Sequence, residues 1–152
     1  MKRYPFIISL ILILSLSACS TDILYSRFTP IPSGEWHMDS VVRFDYQIAD
    51  TTRAYNVIVH VRHTERYPYQ NMWLFIGDSL YRDTVEFYLA DDRGRWLGDK
   101  HNGFVEMPVL LDEARYYTHP GSYCVTVQHG MRDTLLRGVT DIGLEITYNG
   151  QE

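Results

Sequence analysis

The feature that most narrows the fold is a period-two alternation of apolar and polar side chains that recurs along the chain. Over residues 41–48, Val42, Phe44, Tyr46 and Ile48 fall on one side and Arg43, Asp45 and Gln47 on the other. Successive strand residues face opposite sides of a sheet, so this stretch predicts a half-buried strand. Residues 55–63 repeat it with Tyr55, Val57, Val59 and Val61 inward, and residues 84–90 with Val85, Phe87 and Leu89. Residues 122–131 follow through Tyr123, Val125 and Val127, then residues 139–148 through Ile142, Leu144, Ile146 and Tyr148. Turns rich in Gly, Pro and Asp separate these runs, and no stretch carries a convincing 3.6-residue period. Two half-apolar sheets can hide their inner faces only against each other. The expected fold is therefore all-β, a single antiparallel β-sandwich domain of about seven or eight strands.

Three stretches depart from simple alternation. Residues 72–76 (Met-Trp-Leu-Phe-Ile) are continuously apolar, which predicts a central strand buried on both faces. Residues 104–111 predict an edge strand, because Pro108 lacks the donor an interior strand needs. Residues 110–117 are read as closing a single helical turn.

The N-terminus decides where such a domain lives. Lys2 and Arg3 precede an apolar run from Phe6 to Leu16, and Leu16-Ser17-Ala18-Cys19 closes it. This is the layout of a secretory signal, and the run is short of the roughly 20 apolar residues that span a bilayer. A cysteine at the cleavage point makes it a lipoprotein box. Residues 1–18 are thus expected to be a lipoprotein signal peptide and Cys19 the lipidated first residue of the mature chain. Residues 19–35 form a lipidated tether and lead-in segment, with Tyr25, Phe28 and Ile31 packing onto the domain, and residues 36–152 form the sandwich. The expected location is the cell envelope, on the periplasmic or outer-membrane side, with the membrane held through acyl chains worth about 0.8 kcal/mol per buried CH₂.

Removing Lys2 and Arg3 leaves 12 basic against 19 acidic residues, a net charge of −7. That disfavours nucleic acid as a partner, since its binding depends mainly on Lys and Arg neutralising phosphates. It also argues against electrostatic adhesion to anionic headgroups. With Cys19 acylated, Cys124 has no intramolecular disulfide partner, and it is expected to be a small, partly buried, inward-leaning hydrophobe.

No catalytic, metal or cofactor site is expected. His60-x-x-His63 would put its imidazoles on opposite faces of a strand, where they cannot share an ion. Asp91-Asp92-x-Gly94 lacks the further oxygens of a calcium loop and reads as a turn. There is no G-x-S-x-G elbow, and Cys124 beside any histidine lacks an activating environment. The aromatic residues Trp36, Tyr67, Tyr69, Trp73 and Trp96 stand out, three of them in or beside turns. Loop aromatics serve as platforms for protein or sugar partners, or else plug the open ends of a sandwich. Tyr67, Tyr69 and Trp96 are the candidate partner-binding residues.

The loops resemble those of the gliding motility lipoprotein GldH family. Gly34-x-Trp36-His37-x-Asp39 and Tyr67-Pro68-Tyr69-x-Asn71 carry the likeness early in the chain. Leu89-Ala90-Asp91-x-x-Gly94-Arg95-Trp96-Leu97-Gly98 and Gly121-x-Tyr123 carry it further on. Gln128-x-x-Met131-Arg132 and Leu135-x-x-Gly138-Val139-x-Asp141-Ile142-Gly143-Leu144 complete it. The series is collinear across the mature chain, although the loop Gly98-Asp99-Lys100-His101-Asn102-Gly103 is altered. The resemblance implies a membrane lipoprotein of the gliding and type IX secretion machinery, with envelope proteins as partners, no catalytic activity and no cofactor. A surface glycan-binding module, with Tyr67, Tyr69 and Trp96 stacking on sugar rings, is the alternative.

The anchor is directly testable. Cys19→Ser should abolish incorporation of labelled palmitate and leave an uncleaved or mislocalised protein; normal labelling and membrane fractionation would disprove the lipobox.

Overall fold

The computed structural model describes residues 22–78 and 82–150; Cys19 and the signal peptide lie outside them. One antiparallel sheet runs β1 (Ile23–Pro30), β11 (Val139–Tyr148), β4 (Tyr55–His63), β8 (Phe104–Arg115) and β7 (Asp99–His101), in that order. The second runs β3 (Val42–Ile48), β9 (Gly121–His129), β5 (Asn71–Asp78) and β6 (Arg82–Tyr88). A short ribbon pairs β2 (Glu35–His37) with β10 (Leu135–Arg137). The fold is an antiparallel sandwich, and eight of its described strands are seven residues or longer.

The alternation in the sequence becomes the core. In β3 each of Val42, Phe44, Tyr46 and Ile48 is buried while the residues between are exposed. In β4 the buried positions are Tyr55, Val57, Val59, Val61 and His63. Val125 and Val127 of β9 and Ile142, Leu144 and Ile146 of β11 join the same cluster.

Three expectations are corrected. The apolar run 72–76 is central in its sheet but buried on one face only. Met72, Leu74 and Ile76 point into the core, whereas Trp73 and Phe75 are 38% and 48% exposed on the outer face. No further layer covers that face among the described residues, so continuous apolarity here does not mean double burial. Residues 110–117 do not turn into a helix; β8 runs on to Arg115. Register shifts against β4 and a left-handed Ala114 (φ 56°) absorb the irregularity, and the Ala114 N–H donates to Asn56 Oδ1 at 3.2 Å. Cys124 does not lean inward. It sits opposite Asp45 on the outer register of β9, beside the Arg43 guanidinium.

The lead-in stretch forms a complete edge strand, β1, paired to β11 from Ile23 to Pro30. β7 lies outside β8, so the edge expected from Pro108 holds only beyond residue 106, where Pro108 sits. Pro108 faces His60 of β4, beyond the three residues of β8 that pair with β7, so its other edge needs no donor.

Leu74 and Phe75 are neighbours on opposite faces, which makes a sharp test. Leu74→Ala should cost about 2–5 kcal/mol of a total near 5–15. Phe75→Ala should cost clearly less. Chemical denaturation of the purified soluble domain would measure both, and equal losses would contradict the one-sided burial of β5.

Candidate functional site

The end of the sandwich where β4 finishes is built by loops that hold one another. Thr64 N–H donates to the Gly138 carbonyl at 2.8 Å, and Tyr67 N–H to the Thr64 carbonyl at 3.1 Å. Gly138 has φ +86°, and a Cβ there would lie 2.3 Å from the Tyr67 nitrogen. Only glycine therefore lets the 137–139 backbone press against this turn. The Gln70 carbonyl accepts from Leu89 and Ala90, Ala90 pairs with Trp96, and Leu97 N–H returns to the Leu89 carbonyl. The Asp91 carboxylate accepts from the Arg93 and Arg95 backbone N–H groups and from the Arg95 guanidinium. These donors, the Arg95 N–H first, hold its pKa below the ordinary carboxylate value. The motif is a self-closed turn.

These loops bring the three candidate aromatics together. Tyr67 lies 6.0 Å from Tyr69 and 6.4 Å from Trp96, both edge-on. His63 packs against Trp96 at 4.6 Å and Tyr67 at 5.7 Å. Their exposures differ sharply. Tyr67 is only 2% exposed; its hydroxyl donates to the Asn71 carbonyl at 2.7 Å, and burial pushes its pKa up. Trp96 is half-buried and borders a groove of about 320 Å³ with Arg66, Lys100, His101 and Phe104. Tyr69 is 38% exposed and donates its hydroxyl to the Asp133 carboxylate at 2.8 Å. It borders a second recess, about 440 Å³, with Asn71, Trp73, Met131 and Arg132.

Tyr67 is thus a core plug, Trp96 a half-plug and Tyr69 a surface residue. Trp36 is a full plug: its indole N–H donates to the Ser40 carbonyl at 2.9 Å and its ring meets His129 edge-on at 5.3 Å. Sequence reasoning singled out Trp73 but expected it buried, and it missed Met131 at this end altogether. The Met131 sulfur accepts from the Trp73 N–H at 3.3 Å, a pairing of β5 with the loop after β9 that strand periodicity does not reveal. His60 and His63 do point to opposite faces. His60 contacts the Glu106 carboxylate at 2.9 Å on the outside, while His63 is buried and donates from Nδ1 to the Thr64 carbonyl.

The geometry offers ring edges, a rim of cations and fixed polar groups, a set suited to contact. A family model described as GldH lipoprotein matches residues 23–146. The chain belongs to the GldH lipoprotein family. Its matched region opens on the first residue of β1 and closes in β11, the two strands that pair at the sheet edge. A gliding motility lipoprotein GldH homolog of Christiangramia forsetii is 29% identical over 155 residues, covering 94% of this chain and 93% of that protein. The gliding motility lipoprotein GldH of Flavobacterium johnsoniae is 29% identical over 147 residues, covering 86% and 88%. Membership makes this a membrane-anchored envelope lipoprotein. Of the motifs that carried the resemblance, Trp36, Tyr67–Asn71, Leu89–Gly98 and Met131–Arg132 fall at this end of the sandwich, whereas Gly121-x-Tyr123 opens β9 at the other.

The buried histidines give this end a pH signature. Burial lowers the pKa of both His63 and His129 below the ordinary 6.5. The unfolded chain then binds more protons than the folded one below that value, so stability is full above about pH 6.5 and falls as pH drops towards the folded values. His129→Gln, which retains a donor for the Trp36 carbonyl that Nε2 now serves at 3.1 Å, should flatten part of that slope. Urea unfolding between about pH 7 and 5 would check it; an unchanged slope would remove His129 from the effect.

Proposed function

We propose that this chain is a structural or assembly component of the envelope machinery for gliding motility, working beside the type IX secretion apparatus. Its aromatic end is the protein contact. Two relatives that cover most of the chain are named gliding motility lipoproteins, which supports membership of that machinery. The observation that carries the contact is the convergence of two loops, one holding Tyr67 and Tyr69 and the other Trp96. Interface energy concentrates in a few Trp, Tyr and Arg side chains seated in fixed surroundings. Here Tyr67 sets the positions from below, Tyr69 and Trp96 each border a recess, and Arg66 and Arg132 flank them.

The glycan-platform reading is weaker at these residues. Stacking a sugar ring needs an open aromatic face, and both Tyr67 and Trp96 are engaged with neighbouring rings and with His63.

Tyr69→Ala combined with Trp96→Ala tests the contact. Truncating one interface anchor costs about 2 kcal/mol, roughly thirtyfold in affinity. Crosslinking in membranes should therefore lose the gliding and secretion proteins while the purified domain still melts cooperatively. A stable double variant that recovers all of them would remove this surface. Retention of wild-type protein on polysaccharide gels, lost in the variant, would favour the glycan alternative.

A further inference from the structure

The opposite end of the sandwich is set by where the chain leaves it. The Asp22 carbonyl accepts the Tyr148 N–H at 2.8 Å, and Asn149 N–H donates to the Ala54 carbonyl at 2.9 Å. The start of β1 is thereby pinned to the end of β11 and the start of β4. Cys19 precedes Asp22 by three residues, which span at most roughly 11 Å when fully extended. β4 alone, from Tyr55 to His63, covers about 27 Å at ~3.4 Å per residue. The tether is shorter than the domain is tall, so a chain held by acyl groups on Cys19 keeps this end near the headgroups.

What this end displays fits a bilayer surface. Four strand ends lie side by side there in the order β1, β11, β4, β8. At one side Ile23 is exposed, and at the other Tyr116 is 65% exposed just beyond β8. Between them the Arg53 guanidinium sits 3.9 Å over the Tyr148 ring. Tyrosines favour the water–lipid interface because their rings are apolar and their tips polar, and arginine pairs with phosphate oxygens. Acidic groups stand nearby: Asp22, Asp50, Asp112 and Glu113. Asp50 is already committed to Thr52, through its N–H at 2.8 Å and its hydroxyl at 2.6 Å. With a mature net charge of −7 the free domain has no electrostatic reason to seek anionic lipid. Tethering replaces that attraction, because it turns a weak contact into an intramolecular one at high effective concentration.

We propose that this end, through Tyr116, Ile23 and the Arg53–Tyr148 pair, docks on the bilayer that anchors Cys19. The aromatic end then projects away from that membrane. The inference rests on acylation of Cys19 and adds an orientation to it.

The test uses the full lipidated protein purified from membranes and reconstituted in vesicles of phosphatidylcholine and phosphatidylethanolamine. Nitroxide labels go on Thr118→Cys, exposed at this end but outside the docking set, and, separately, on Arg93→Cys in the turn at the far end, both combined with Cys124→Ser. The label at 118 should lose access to an aqueous nickel chelate and gain access to dissolved oxygen, while the label at 93 stays open to the chelate. Mass spectrometry of Cys19 and vesicle flotation accompany the measurement. An acylated, floating protein whose two labels are equally open to the chelate overturns the orientation alone. A protein that is neither acylated nor floating overturns the anchor and the orientation with it.

Discussion

Burial of two facing half-apolar sheets is the constraint on which the rest of this structure depends. β11 lies at the heart of it, because it pairs with β1 on one side and β4 on the other while sending Ile142, Leu144 and Ile146 into the core. Its outer face shows how closely the strands are fitted. A Cβ on Gly143 would come within 2.6 Å of the Phe28 ring, so the bare backbone is what lets that ring lie across the strand. Arg62 then stacks on Phe28 at 3.5 Å and donates to Glu106 at 2.7 Å, with His60 on the same carboxylate. The outer face of the five-stranded sheet is closed by an aromatic and ionic ladder. That of the four-stranded sheet, by contrast, leaves Trp73 and Phe75 to solvent.

The two ends of the sandwich are secured by different chemistry. Near the tether, Arg115 of β8 reaches across to Asp78 of β5, and both side chains are buried. The Tyr46 and Tyr117 hydroxyls meet at 2.9 Å beside them, and burial pushes both phenols up. A buried ion pair contributes little net stability, because desolvation offsets the Coulomb gain, but losing one partner is costly. Its geometric effect is clearer, since it fixes the relative height of the two sheets at the end that carries the chain to Cys19. At the far end neutral histidines, indoles and backbone carbonyls do the equivalent work.

The sequence made the alternating strands legible because β3, β4, β9 and β11 each present an apolar face to the core and a more polar face outward. The same logic failed for residues 72–76. Periodicity reports the polarity of a face, not what covers it, and an apolar face left open looks identical to a buried one. Residues 110–117 were misread because a strand that must absorb register shifts loses its period, and a lost period imitates a helical turn. The three-residue strands β2, β7 and β10 are too short to carry any period. At the candidate site the grouping of Tyr67, Tyr69 and Trp96 at one pole was readable from their places beside strand ends. Which of them faces solvent was not. Tyr67 and Tyr69 flank one proline in one loop, and the close approach of Gly138, some seventy positions away, to the Tyr67 backbone is part of what presses Tyr67 inward.

That dependence says what kind of surface the far end is. Gly138 donates to the Gly34 carbonyl and accepts from Thr64, and Met38 N–H donates to the Thr134 carbonyl. The 31–41, 64–70 and 130–138 segments thus hold one another by backbone bonds between residues distant in sequence. Loops tied this way lose little further freedom on binding, and that lost freedom is a main cost of forming an interface. The aromatic side chains they display have few rotatable bonds of their own. A preorganised end, held by glycine-dependent contacts rather than by a broad apolar face, favours a partner that recognises shape.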